Sequence, residues 1–257
     1  MKKLIVLSLL LVLGLQLYSQ PEKKDKMPVT TSSESALAHY TEAMKCFDDV
    51  ALPKALDLLK KALTDDPDFF MANYQTAMYY SWVANADKYK EYANAATNCK
   101  AKLSQAEELM KSAVTRLREN PNSDVTDIGK RLADMYPKDV NSYGQLLYYQ
   151  TFKRDSTGAL ETLKKMLKIT DNPAPVYNQL GYVYMSLKQY DEAEKAFDKY
   201  IQLAPGNPNV YDSKGDFYMS IKEYDKAYDS YMKANAIDTA WSYAKAQKAK
   251  QLSREIK

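Results

Sequence analysis

Hydrophobic and polar positions follow two different rules along this chain. Residues 4–17 are apolar apart from Ser8, Gly14 and Gln16, and Lys2 and Lys3 stand just before them. This run is shorter than the roughly 20 residues that an uncleaved anchor helix needs to span a bilayer. Ser19 supplies a small residue at a cleavage position, so residues 1–19 are expected to be a signal peptide and the mature chain to begin at Gln20. No cysteine stands at the end of the run, so no lipid anchor is expected, and no membrane span is expected once the leader is removed. Residues 20–32 show no periodicity and are expected to form a flexible N-terminal arm. The expected location is periplasmic or secreted.

Beyond residue 32 the apolar positions recur at a fixed interval. Tyr177, Gly181, Tyr184, Tyr190, Ala193 and Phe197 are matched by Tyr211, Gly215, Tyr218, Tyr224, Ala227 and Tyr231, each 34 residues later. One interval earlier lie Tyr143, Ala159 and Leu163. Further back, Ala55, Ala62 and Pro67 have the spacing of Ala193, Tyr200 and Pro205. Ala55 and Ala159 are 104 residues apart, which is three intervals with two residues over. The expected units are 36–69, 70–103, a divergent 104–139, 140–173, 174–207 and 208–241. In the divergent unit, Ser104 and Glu107 form a capping box at a helix start. Residues 124–135 supply its second helix. A polar helix over 241–256 closes the array, as a solenoid requires if its core is not to be exposed at the end.

The unit length and the series Tyr177, Leu180, Gly181, Tyr184, Ala193, Phe197 and Pro205 resemble the tetratricopeptide repeat. Tyr200 stands where a second small residue is usual, and Thr239 replaces the closing proline of the next copy. The resemblance implies an all-α, right-handed superhelix of six helix pairs plus a C-terminal capping helix over 33–257. Neither helix of a pair can bury its apolar stripe alone, so neighbouring pairs stack into one continuous core. Gly181, Ala193 and Gly215 permit close approach, and Tyr184 and Phe197 fill the space between helices.

Composition removes most chemistry. With 1 His and 2 Cys the chain cannot furnish a Cys₂His₂ or Cys₄ zinc site. Seven glycines, scattered singly, form no phosphate-cradling motif, and a net charge of +3, or +1 once the leader is removed, offers no stripe for nucleic acid. No cofactor, metal or nucleic-acid partner is expected, and no catalytic residue is assigned. His39 has no nucleophile context and is read as structural. Cys46 and Cys99 fall at interior positions. Two buried thiols are expected, with a disulfide as the alternative.

In the tetratricopeptide family, the first helix of each unit lines a concave groove that grips an extended peptide. The resemblance therefore implies a partner-binding groove containing Gln145, Tyr148, Asn178, Gln179, Tyr182, Met185, Asp212, Asp216 and Met219. Gly144 and Thr151 share those offsets, and Tyr40, Met44, Phe47, Tyr74, Met78 and Trp82 extend the face toward the N-terminus. The groove has no basic set of the kind that holds a C-terminal carboxylate. The expectation is an exported, non-enzymatic adaptor or scaffold for a protein or peptide. The alternative is a module that binds a small molecule or glycan against the tyrosines. Protein from the native host should have an intact mass beginning at or near Gln20; retention of Met1 in the bulk of the protein would disprove export by cleavage.

Overall fold

The computed structural model describes residues 25–239 and 241–255; the expected leader therefore lies outside the described residues. Among the described residues there are thirteen α-helices and no strand. In chain order these are α1 (Glu34–Asp48), α2 (Leu52–Asp65), α3 (Phe70–Trp82), α4 (Ala86–Thr97), α5 (Gln105–Glu119), α6 (Thr126–Met135) and α7 (Val140–Phe152). They continue as α8 (Ser156–Met166), α9 (Ala174–Ser186), α10 (Tyr190–Leu203), α11 (Pro208–Ser220), α12 (Tyr224–Ile237) and the closing α13 (Tyr243–Glu255). The helices stack as a right-handed α-solenoid.

Local chemistry explains where the helices begin and stop. Ser33, Asn85, Ser104, Asp139, Asp155 and Asn207 each accept a backbone N–H at a helix start. Pro53, Pro175 and Pro208 occupy first turns, where no intrahelical N–H is needed. Pro67, Pro137 and Pro205 follow the ends of α2, α6 and α10, and each holds the residue before it out of helical geometry.

The turn inside the helix pair is repeated almost identically. Val50, Ala84, Arg154, Lys188 and Lys222 all have left-handed backbone, with φ of 59°, 55°, 58°, 58° and 65°. The next residue in each case donates its N–H back five positions: Ala51 to the Cys46 carbonyl, Asn85 to Tyr80, Asp155 to Gln150, Gln189 to Tyr184 and Glu223 to Tyr218, at 2.8–2.9 Å. This is the helix-ending geometry that glycine adopts most readily. None of the five is glycine, so every turn carries backbone strain of about 1–2 kcal/mol.

Packing across the pair follows a small-against-large rule. A Cβ added at Gly181 would lie 2.5 Å from the Phe197 ring, and one at Gly215 would meet the Tyr231 ring at similar range. Ala43 and Leu59 hold the equivalent positions in α1 and α2 and keep the rule, whereas Leu147 and Leu163 in α7 and α8 are both large; all four are buried. Where the first helix gives up its side chain, the second supplies an aromatic ring.

The third interval departs from this plan. Ser104 and Glu107 do form the capping box that opens α5. However, α5 touches α6 only loosely, while α6 packs closely on α7. The reason is Gly129, where a Cβ would come within 2.7 Å of the Leu146 Cα, so the two backbones are nearly in contact.

Residues 25–32, expected within a flexible arm, instead run as a pinned strap. The Met27 N–H donates to Asp139 Oδ2 at 2.6 Å, and Met27 is buried. The Thr30 N–H and hydroxyl donate to the two oxygens of Glu107 at 2.8 and 2.6 Å. The Thr31 hydroxyl donates to Asp66. Glu107, itself fully buried, also accepts the Ser104 N–H at 2.8 Å. Polar composition alone suggests disorder, but the buried carboxylates of Glu107 and Asp139 and the half-buried one of Asp66 need donors, and the strap supplies them.

Two substitutions test this architecture in opposite directions. Lys188 is exposed, so Lys188→Gly relieves turn strain without loss of packing and should raise stability by about 0.5–1 kcal/mol in thermal melts. Gly129→Ala must push α6 off α7 and should lower stability by about 1–3 kcal/mol. The reverse order would show that the turn and the crossing have been misjudged.

Candidate functional site

The first helices of the pairs turn one face toward a concave space of about 690 Å³. Tyr74, Met78 and Trp82 approach it from α3, Gln145, Tyr148 and Thr151 from α7, and Gln179 from α9. Phe47, Asp48 and Leu52 close it from the α1–α2 turn, and Lys26 enters from the strap. Gly144 leaves part of the surface bare, since a Cβ there would have no neighbour within 4 Å.

One wall is aromatic. The Tyr79 ring lies 6.3 Å from Phe47 and 6.2 Å from Trp82, centroid to centroid, and Trp82 is 68% exposed. The floor is a tyrosine junction between α3 and α7. The Tyr74 hydroxyl donates to Gln145 Oε1 at 2.6 Å and lies 3.2 Å from the Tyr149 hydroxyl, while Tyr148 reaches Ser81 at 3.4 Å. Burial pushes the Tyr74 and Tyr149 hydroxyls well above the usual tyrosine range. At the far side, Asn207 Nδ2 donates to the Asp49 carbonyl at 3.1 Å, joining segments 158 residues apart.

The predicted groove residues divide into two groups. Gln145, Tyr148 and Gln179 line the central space together with Phe47, Tyr74, Met78 and Trp82. Tyr182, Asp212 and Asp216 are gathered elsewhere, against the closing helix. Lys245 of α13 donates to Asp212 at 2.8 Å and to Asp216 at 2.9 Å, and Ser242 donates to Asp212. Tyr231 and Tyr182 donate to Asp216 at 2.7 and 3.1 Å. Burial works against the charge on Lys245, but the two carboxylates outweigh it and hold its pKa above the ordinary lysine value. Met185 and Met219 pack, half-buried, on the core around Phe217 and Tyr231. Asn178 is half-buried. Tyr40 is buried in the N-terminal core and Met44 packs against it.

The residues outside the sequence reading are Lys26, Asp48, Gln75, Tyr79, Asn141, Asp171 and Asn172, all on the central space. Lys26, Asp171 and Asn172 come from the strap and a loop, and Asp48, Gln75, Tyr79 and Asn141 from helix positions that the repeat offsets do not mark. Asp48 and Asp49 did carry a signal, because two acids at a helix C-terminus oppose its dipole. His39 sits 3.5 Å from Asp65 on the outer side of α1 and takes no part. Cys46 and Cys99 are free, buried thiols, and Cys99 donates to the Asp68 carbonyl at 3.1 Å. Among the described residues no group of His, Cys, Asp and Glu is arranged to hold a metal ion.

Stacked helix pairs around a concave, amide- and aromatic-lined face define a helical-repeat scaffold. Residues 174–207 and 208–240 each match the tetratricopeptide repeat, so the C-terminal part of the chain carries two copies of that repeat. No curated protein sequence matches it. Among solved structures, PilW, a widely conserved type IV pilus biogenesis factor, is similar with a TM-score of 0.50 at 18% identity, over 84% of this chain and 99% of that one. The Cut9–Hcn1 hetero-tetramer of APC/C gives 0.48 at 18%, over 84% and 43%. A thermophilic TPR protein of Thermus thermophilus gives 0.41 at 17%, over 86% and 98%. At 18% identity the likeness to PilW is one of fold.

The buried tyrosines set a pH limit. Below about pH 10 the folded and unfolded chains hold the same phenolic protons, so Tyr74 and Tyr149 leave stability unchanged. Above it the unfolded chain releases protons that the folded chain retains, and stability falls by up to about 1.4 kcal/mol per pH unit for each tyrosine. Phenolate absorbance should therefore rise in two phases, the later one coinciding with loss of helical circular dichroism. A single phase completed while the helices persist would mean that the junction is open to water.

Proposed function

We propose that this chain is an exported, non-enzymatic adaptor that holds a segment of a protein partner in its concave groove. One observation carries the reading: the most exposed large aromatic side chain, Trp82, stands on the rim of the groove beside amide-bearing residues from α7 and α9. Aromatic rings give rigid apolar contact area, and side-chain amides match both the N–H and the carbonyl of an extended backbone. Tetratricopeptide-repeat proteins generally serve as protein-interaction scaffolds, which agrees with this use of the face. The leader supports export to the periplasm or beyond, and among the described residues no helix is long and apolar enough to cross a membrane.

A second reading has its own support. A space of about 690 Å³ with an aromatic wall also falls within the range of small-ligand pockets, so a small molecule or glycan could occupy it. Pull-down from envelope extract separates the two: the adaptor captures a protein, whereas the ligand module co-purifies with a small molecule visible by native mass spectrometry.

With a captured partner, Trp82→Ala should weaken binding by at least ~2 kcal/mol, since buried aromatic anchors dominate such interfaces. Its exposure in the free protein means that the melting temperature should hardly move. Lys195→Ala, on an exposed ion pair with Glu192 away from the groove, should leave affinity unchanged. Binding that survives Trp82→Ala and fails with Lys195→Ala would place the working surface on the outside.

A further inference from the structure

The groove is lined by anions that make no ion pair among the described residues. Asp48 and Asp171 both line it, and Asp49 adjoins Asp48. Lys26 is the single cationic residue among its lining. Among the described residues no lysine, arginine or histidine lies within ion-pairing distance of Asp48, Asp49 or Asp171, although Asp57, Asp127 and Glu192 elsewhere are each paired. Asp48 ends α1 and Asp49 caps it, where the helix dipole already presents its negative pole. Although Asp48 is exposed, its carboxyl is partly desolvated by the surrounding groove and is pushed above the usual carboxylate range, with Asp49 adding to the shift. All three acids are exposed, so water solvates them in the free protein and they stay accessible to a partner's charge. They are a good arrangement for receiving a cation.

The neighbouring rings point the same way. Phe47 directly precedes Asp48 in α1, and its ring meets Tyr79, which meets Trp82. An aromatic face next to a carboxylate is the combination that holds a guanidinium or ammonium, the ring through its quadrupole and the acid through charge. Gln145 and Gln179 leave neutral donors and acceptors for the backbone on either side of such a residue.

We propose that the groove receives an extended segment of a partner protein carrying an arginine or lysine, whose charged end lies toward Asp48 and Asp171 and whose stem covers the Phe47–Tyr79–Trp82 wall. This rests on the adaptor reading above and adds the chemistry of the partner to it.

The test is selection of a random dodecamer peptide library on the purified full chain, followed by affinity measurement with individual peptides. Recovered peptides should carry Arg or Lys next to an aromatic or aliphatic residue. Each should bind about tenfold more tightly than its Arg→Gln or Lys→Gln counterpart, the scale of one charge-assisted contact. The paired change Asp48→Asn with Asp171→Asn should abolish that preference and leave the glutamine counterpart's affinity as it was. Removal of a carboxylate from the α1 C-terminus does not weaken the helix, so this variant should melt no lower than wild type. Peptides without a cation that still depend on Trp82 would overturn the charge assignment and leave the groove reading intact. Peptides indifferent to Trp82→Ala and to both aspartate changes, or a selection that enriches nothing, would overturn both.

Discussion

The two C-terminal helix pairs, α9–α10 and α11–α12, depend on one complementarity, a glycine on the first helix beneath an aromatic ring on the second. Gly181 lies under Phe197 and Gly215 under Tyr231, with ring atoms where any Cβ would stand. Close approach there sets the crossing of the pair, and the crossing sets how the next pair can stack. The left-handed turns at Val50, Ala84, Arg154, Lys188 and Lys222 are subordinate to helix packing. They are strained at non-glycine residues, and they hold because packing on both sides of the turn dictates the path of the chain.

The irregular middle turns this periodic stack into a site. Gly129 draws α6 onto α7 and loosens the pairing of α6 with α5. On the concave side α3 and α7 are then joined by tyrosine hydroxyls rather than separated by a regular unit. That junction provides the floor of the cavity, and the Asn207–Asp49 hydrogen bond ties the α10–α11 loop to the α1–α2 turn. The strap over 25–32 completes the N-terminal half by supplying donors to Asp66, Glu107 and Asp139. A strictly regular array would offer an open groove. This one has a bounded chamber in its N-terminal and central part, and a separate, internally satisfied network of Tyr182, Asp212, Asp216 and Lys245 at its C-terminal end.

The site was legible where it obeyed the repeat offsets. Gln145, Tyr148 and Gln179 lie on the central face because helical geometry relates a packing aromatic to its neighbours one, two and five residues on. Asp212 and Asp216 obeyed the same offsets, but α13 lies where another unit would stand and its Lys245 engages them. Asp48, Tyr79 and Asp171 were missed. The first and last belong to a helix end and a loop, and Tyr79 reaches the cavity from a position that the offsets do not mark.

From the sequence alone followed the helix pairs, their 34-residue spacing, the close contacts at Gly181 and Gly215, the capping box at Ser104 and the closing helix. These are local matters: each is decided by residues within one turn or one hairpin, where spacing along the chain translates directly into position in space. Only the tertiary structure decided that the strap is pinned, that α6 turns to α7, and that loops 158 residues apart meet at Asp49 and Asn207. Contacts of that kind depend on the accumulated rotation of many stacked helices. A two-residue change in one interval alters that rotation, and no single stretch of the chain records the result.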